Sequence, residues 1–178
     1  MRRLSLRAEN GPRQTGTALV LAFGMAATVG GALLFQHWGG YQPCALCLEQ
    51  RTPYYLGVPV ALSAFAASWL RLPPLLVRGL LLAAGLLMVW AAVLGATHAG
   101  VEWGWWPGPA DCAATGGADL SGDLLQSLDA VRPPSCSQAA LRILGLSLAG
   151  WNALIAAGLA AVAATGALAP ADRFAPRR

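Results

Sequence analysis

Long stretches without charge constrain this chain more than any motif in it. Between Arg13 and Glu49 there is no Asp, Glu, Lys or Arg, and the same holds between Arg51 and Arg71. A third apolar run, Leu75 to Thr97, carries only Arg78 near its start, and a fourth is uncharged from Ile143 to Leu168. A helix crosses the hydrocarbon core of a bilayer with about 20 apolar residues. Charged residues make up 11% of the chain, against roughly 25% in soluble domains, too few to cover a water-facing surface. A cleaved leader would have a shorter apolar run and no further spans behind it. The pattern predicts an all-α membrane protein, a single domain over residues 1–178. It is expected to be a four-transmembrane-helix bundle with spans at about 17–38, 54–70, 75–97 and 143–168. Outer loops are expected at about 39–53 and 98–142.

Local signals refine this outline. Pro59 falls inside the second run, which a membrane helix tolerates when neighbours satisfy the freed carbonyl. Arg71-Leu72-Pro73-Pro74 reads as a tight turn, because each proline disfavours helix at the residue before it. In the long outer loop Leu120, Leu124, Leu125, Leu128 and Val131 recur at helical spacing among polar residues. That predicts a short amphipathic helix lying on the membrane or on the bundle. Gly30, Gly31 and Gly95 are expected to let helices approach closely, and Asn152 to hydrogen-bond between helices.

Arginine sets the orientation. Four spans put both termini on one side, with Arg2, Arg3, Arg7, Arg13, Arg71, Arg78, Arg173, Arg177 and Arg178; the other side holds Arg51, Arg132 and Arg142. Cytoplasmic segments collect the excess of basic residues, so the termini are expected in the cytoplasm and the cysteine loops outside. The same distribution assigns the +4 net charge to membrane topology, and no nucleic-acid partner is expected.

All four cysteines fall on that outer face: Cys44 and Cys47 in the first loop, Cys112 and Cys136 in the second. A Cys-x-x-Cys pair closes a tight, readily exchanged disulfide, and a nearby cation favours the thiolate that performs exchange. Arg51 and the start of the second span are expected to favour a Cys47 thiolate. A second pair in an exposed loop suits a protein partner. Two static disulfides, or a metal site, would be the plainer use of four cysteines. A four-cysteine zinc site usually has two Cys-x-x-Cys knuckles, and here there is one, so no metal is expected. His37 and His98 lie near the outer ends of their spans, where a histidine serves as a proton relay or as a structural group.

Together these residues resemble the DsbB family of disulfide bond formation proteins. The resemblance rests on Pro43-Cys44-Ala45-Leu46-Cys47 with Arg51, preceded by Phe35-Gln36-His37 and followed by a second cysteine pair. The segments His98-Ala99-Gly100-Val101-Glu102, Trp105-Trp106-Pro107-Gly108-Pro109 with Cys112, and Leu144 to Asn152 are similar to one branch of that family. The resemblance implies a thiol oxidase of the bacterial inner (plasma) membrane that reoxidises a periplasmic, thioredoxin-fold DsbA-like partner. Its electrons would pass to a quinone, ubiquinone or menaquinone. The partner would attack Cys112, Cys136 would pass into a transient bond with Cys44, and Cys47 would face the quinone. Arg51 would polarise a quinone carbonyl, with His98 beside it. Glu49 departs from the bulky residue expected there, and an inward acid would oppose thiolate formation. The vitamin K epoxide reductase family also joins a helical bundle, a Cys-x-x-Cys and a quinone, but places that motif after its loop cysteines. A membrane scaffold or metal-binding protein with static disulfides is the non-enzymatic alternative.

Overall fold

The computed structural model describes residues 10–109 and 136–169. Among them the elements run α1 Pro12–His37, α2 Ala45–Glu49, α3 Thr52–Trp69, α4 Pro74–Glu102, β1 Arg142–Ile143, β2 Leu146–Ser147 and α5 Leu148–Leu168. Cys112 and the amphipathic segment Leu120–Val131 lie outside the described residues. The protein is mostly helical, and α1, α4 and α5 are long and apolar enough to cross a membrane. The 18-residue α3 is less apolar, with Pro53, Tyr54, Tyr55 and Pro59 in its first half.

The packing is small inside and large outside. Much of the core is Ala18, Ala61, Ala64, Ala84, Ala91, Ala156 and Ala163, with Leu21, Met25, Leu81 and Met88 between them. Phe23 is 78% exposed, Leu86 70% and Leu154 59%. A water-soluble bundle would bury such side chains, whereas in lipid small residues pack between helices and large apolar ones face the tails. Gly95 shows the principle at one contact. A Cβ there would stand 2.8 Å from Ala153 N and 3.0 Å from Ala153 Cα, backbone atoms of α5. Gly30 and Gly31, expected in the same role, have nothing within 4 Å of such a Cβ. Among the described residues they form no helix crossing.

The turn between α3 and α4 follows from its sequence. Arg71 takes a left-handed φ of 57°, its N–H donates to Ser68 O, and Leu72 N–H donates to Ala67 O at 2.9 Å. This is a Schellman ending. A non-glycine residue there costs roughly 1–2 kcal/mol. Pro73 then caps α4 and Pro74 opens it, where a missing N–H does no harm.

The end of the bundle holding this turn is closed by side chains bonded to backbone. Gln14 Nε2 donates to Gly166 O at 3.0 Å while its Oε1 accepts from Gly11 N–H at 2.8 Å. Arg78, fully buried, donates from Nη1 to Ala167 O and Ala169 O, both at 2.8 Å. Last-turn carbonyls have no partner within their own helix, so one guanidinium satisfies two of them.

At the opposite end two boundaries differ from what charge patterning marks. The uncharged run beginning at Ile143 enters a hairpin before it becomes helix. Leu144 and Gly145 both have positive φ, 53° and 83°, the two-residue turn that suits a tight hairpin. Ser147 then caps α5, its Oγ accepting from Gly150 N–H at 3.2 Å. α4 continues past Thr97 to Glu102, so residues 98–102, expected in the outer loop, form its last turn.

Candidate functional site

That last turn meets the short helix α2. Cys44 is the residue before α2 and its N-cap: its Sγ accepts from Cys47 N–H at 3.3 Å. Four-residue ring closure of this kind satisfies one of the amides that a helix start leaves free. It also brings the two sulfurs to 2.7 Å, with both cysteines free rather than bonded. His98 Nε2 stands 3.7 Å from Cys44 Sγ. Glu49 is exposed on α2, so its acid does not face the sulfurs.

Cys44 is the thiol that its surroundings lower. Hydrogen bonding from the Cys47 thiol is the main cause that lowers Cys44, and burial partly opposes it. His98 and the Cys47 amide add to the lowering, which brings Cys44 from 9.0 to about 4. Cys47 is pushed up, first by the same shared hydrogen bond and then by burial, with Arg51 only a weak opposing charge. The expectation of a Cys47 thiolate rested on Arg51, which is the last of the causes acting on Cys47. The cap position gives Cys44 the backbone amide, and the fold gives it the histidine.

His98 is held from behind by a chain of side chains. Gln50 Nε2 contacts His98 Nδ1 at 2.6 Å, and Asn152 Nδ2 donates to Gln50 Oε1 at 2.7 Å. Tyr54 O–H donates to Asn152 Oδ1. Each amide uses its oxygen toward α5 or α3 and its nitrogen toward His98. With Nδ1 accepting, the proton of the neutral ring sits on Nε2, toward Cys44. Beyond it, Glu102 Oε1 lies 3.8 Å from the same Nε2; the two side chains are 4% and 5% exposed.

Arg51 closes α2 from α3 and donates from Nη1 to Gln36 Oε1 at 2.5 Å. Together these groups line a cavity of about 340 Å³ between α1, α2, α4 and α5. Phe35, Gln36, Cys47, Arg51, His98 and Asn152 are among its walls. Small-ligand sites of this size are apolar with a few fixed polar groups. Cys44, Cys47 and His98 also offer three donor atoms within 4.8 Å of one another. A closed tetrahedral metal set takes four.

Cys136 is 2% exposed and disulfide-bonded. It shares a small apolar cluster with Cys44 and Val101 at the edge of the site, with Leu46 and Cys47 packed against it. Cys112 lies outside the described residues. His37 ends α1 exposed and takes no part in the cluster. The fold thus joins Cys44, Cys47, Arg51, His98 and Cys136 at one end of the bundle. Sequence reasoning passed over Gln36, Gln50, Tyr54 and Glu102, and read Asn152 only as a helix contact. A four-residue step from His98 to Glu102 on a helix was the available signal, hidden by placing both in a loop.

A family model described as "Disulfide bond formation protein DsbB" matches residues 14–166. No curated protein and no solved structure matches the chain. The matched range runs from the first turn of α1 almost to the end of α5 and contains every cysteine. The chain belongs to the DsbB family of membrane proteins that form disulfide bonds.

Proposed function

We propose that this protein is a thiol:quinone oxidoreductase that reoxidises a periplasmic thioredoxin-fold, DsbA-like dithiol partner and passes the electrons to a quinone. The observation that carries the reading is the cavity of about 340 Å³ with a free cysteine pair, Arg51 and His98 on its walls. Its size and mixed lining fit a quinone ring: apolar surface for the face, cationic and N–H donors for the carbonyl oxygens. Arg51 and His98 Nε2 are the groups that would hold it. A bound quinone, ubiquinone or menaquinone, supplies the oxidising power, taking two electrons and two protons per disulfide formed.

The remaining chemistry belongs to the chain. A reduced partner attacks a Cys112–Cys136 disulfide at Cys112, and the freed Cys136 thiolate attacks the Cys44–Cys47 disulfide at Cys44. Cys47 leaves as thiol or thiolate on the cavity wall. The second partner thiol resolves the mixed disulfide and departs oxidised, and Cys136 returns to Cys112. The shared cluster of Cys136 and Cys44 supports this exchange path. Cys44 then remains beside His98 as the stabilised anion, with Cys47 carrying the proton.

The reading includes four spans, α3 being the fourth, in the bacterial inner membrane, with termini cytoplasmic and both cysteine loops periplasmic. The arginine excess at the termini and at the α3–α4 turn supports that orientation. α3 crosses beside α1 and α4 rather than facing lipid alone, which accommodates its prolines and tyrosines.

The test is quinone reduction by the purified protein on addition of a reduced thioredoxin-fold dithiol protein, beside Cys47→Ser and Cys112→Ser variants. Turnover lost in both variants is the expected result. Cysteines inert to the dithiol, with no turnover on ubiquinone or menaquinone, would replace the relay by a scaffold with static disulfides.

A further inference from the structure

We infer that the reduced cysteine pair and His98 form a binding site for a thiophilic divalent cation such as zinc, which holds the pair in its reduced form. The site stands on the free cysteines and the groups around them, not on the quinone reading above. The two sulfurs and a ring nitrogen of His98 lie within 4.8 Å of one another. Cys44 Sγ is 2.7 Å from Cys47 Sγ and 3.7 Å from His98 Nε2. Two thiolates and an imidazole are a donor set that suits zinc, and three protein ligands with an open fourth position are one of its ordinary coordinations. Around a tetrahedral zinc, bonds of about 2.3 Å to sulfur and about 2.0 Å to nitrogen put the donors roughly 3.5–3.8 Å apart. The Cys44–His98 separation already meets this. The sulfurs must part by about 1 Å, which the half-buried Cys47 provides by turning about its Cα–Cβ bond.

The polar chain behind His98 accommodates such a metal. A cation takes the lone pair of Nε2, so the ring proton must sit on Nδ1 and find an acceptor there. Gln50 and Asn152 end in amides whose oxygen and nitrogen exchange places on a half-turn, and the Tyr54 hydroxyl accepts as well as donates. With both amides turned, His98 Nδ1–H donates to Gln50, Gln50 to Asn152, and Asn152 to Tyr54, through the same contacts. One direction of the chain gives a ring that faces Cys44 with a proton. The other gives a ring that ligates.

Charge and access agree. Two thiolates balance a divalent ion, so neither partner is buried uncompensated. Arg51, a cation on the same cavity wall, is engaged by Gln36. Cys44, Cys47 and His98 all line the cavity, which leaves the fourth position to water. Glu102 lines it too; its side chain is 5% exposed and its Oε2 has no hydrogen-bond partner, so it offers that water an acceptor. Cysteine spacing led to no metal being expected because it counts sulfurs alone. The third donor comes from α4, 54 residues beyond Cys44. Binding exchanges the cation for thiol protons and moves no electrons. A disulfide has no thiolate to give, so only the reduced pair binds, and metal and quinone compete for the same sulfurs.

The test uses full-length protein carrying Cys112→Ser and Cys136→Ser, so that Cys44 and Cys47 are its only thiols. Reduced and quinone-free in detergent, it is titrated with Co2+, and the thiolate-to-cobalt charge-transfer absorbance is followed. Saturation at a single ion per chain, displacement by Zn2+ and no such absorbance in the oxidised protein are expected. His98→Ala should weaken binding at least tenfold. Gln50→Leu should weaken it about tenfold, as loss of an outer partner does, while Gln50→Glu offers Nδ1–H a carboxylate and should restore it. No charge-transfer absorbance in the reduced protein overturns the proposal. So does a His98→Ala protein that binds as tightly as its parent, which would leave a plain dithiol chelate. If His98→Ala does not fold, equal affinity in Gln50→Leu and Gln50→Glu removes the histidine from the site and overturns it likewise. Cobalt binding in a protein that reduces no quinone upholds the site and sinks the quinone reading; quinone reduction without cobalt binding does the reverse.

Discussion

The two ends of the bundle use polar side chains in opposite ways. At the end holding the α3–α4 turn, Gln14, Arg78 and Asn10 donate to backbone carbonyls: Gly166, Ala167, Ala169 and Leu72. At the cysteine end, Tyr54, Asn152, Gln50 and His98 bond to one another. Backbone acceptors are fixed in place and never change protonation, so bonds to them lock geometry. A chain of side chains has a direction that can reverse and a terminus that can gain or lose a proton. One end is a clamp, the other a conduit.

Substitutions should separate the two ends, the largest effect first. Cys44→Ser and Cys47→Ser are each expected to lower disulfide formation by about 10³-fold or more, because the members of a reacting pair act as a unit. Their thermal unfolding should stay close to wild type. At the other end Arg78→Met should do the reverse. It leaves the Ala167 and Ala169 carbonyls unpaired in the interior, a loss of about 2–4 kcal/mol by denaturant titration in detergent. Quinone reduction per folded molecule should be unchanged; a parallel fall in activity would mean that the ends are not independent.

Gly95→Leu tests the connection between them. Its side chain meets the α5 backbone at Ala149 and Ala153, and overpacking of that kind costs about 1–3 kcal/mol. Because Gly95 lies one turn before His98, a loss of activity on top of the loss of stability is expected.

The site itself is sharpened by titration. In reduced, quinone-free protein the ultraviolet absorbance of the Cys44 thiolate should persist as pH falls and disappear through about pH 4. The anion is the form present above that value, so acid removes it. His98→Ala should move the midpoint upward, since His98 is one of the groups that lowers Cys44. The smallest effect is expected from Tyr54→Phe, which removes one hydrogen bond at the far end of the chain, worth about 1 kcal/mol. A few-fold loss of quinone reduction fits a conduit; no change would limit the chain to its last three members.

How much of this was legible in the residues depends on range. The uncharged runs and the Cys44–Cys47 spacing are local, and they pointed directly to apolar helices and exchange chemistry. The end of α4 was not legible, because polar and aromatic residues after Thr97 look like a loop until Val101 and Glu102 complete the turn. That misplacement hid the pairing of His98 with Glu102. Gln50 and Asn152 are 102 residues apart in the chain, and only the packing of α5 on α4 and α1 brings them together. Gly95 and Gly30 are alike as letters, and the difference is which faces a neighbouring backbone.

The unequal lengths of α4 and α5 have a consequence for where this chemistry takes place. At 1.5 Å per residue, the 29 residues of α4 reach roughly 43 Å and the 21 of α5 roughly 31 Å. Arg78, one turn into α4, meets the C-terminal end of α5, and Gly95 meets Ala149 and Ala153 in the first turns of α5, so the excess of α4 is shared between the two ends. A bilayer with a hydrocarbon core of about 30 Å matches α5 and leaves the top of α4 standing in the headgroup layer. Glu102 belongs to that projecting part, while His98 and Asn152 sit level with the first turns of α5. The polar chain therefore stands at the boundary of oil and interface, and the thickness of the host membrane sets how wet its upper end is.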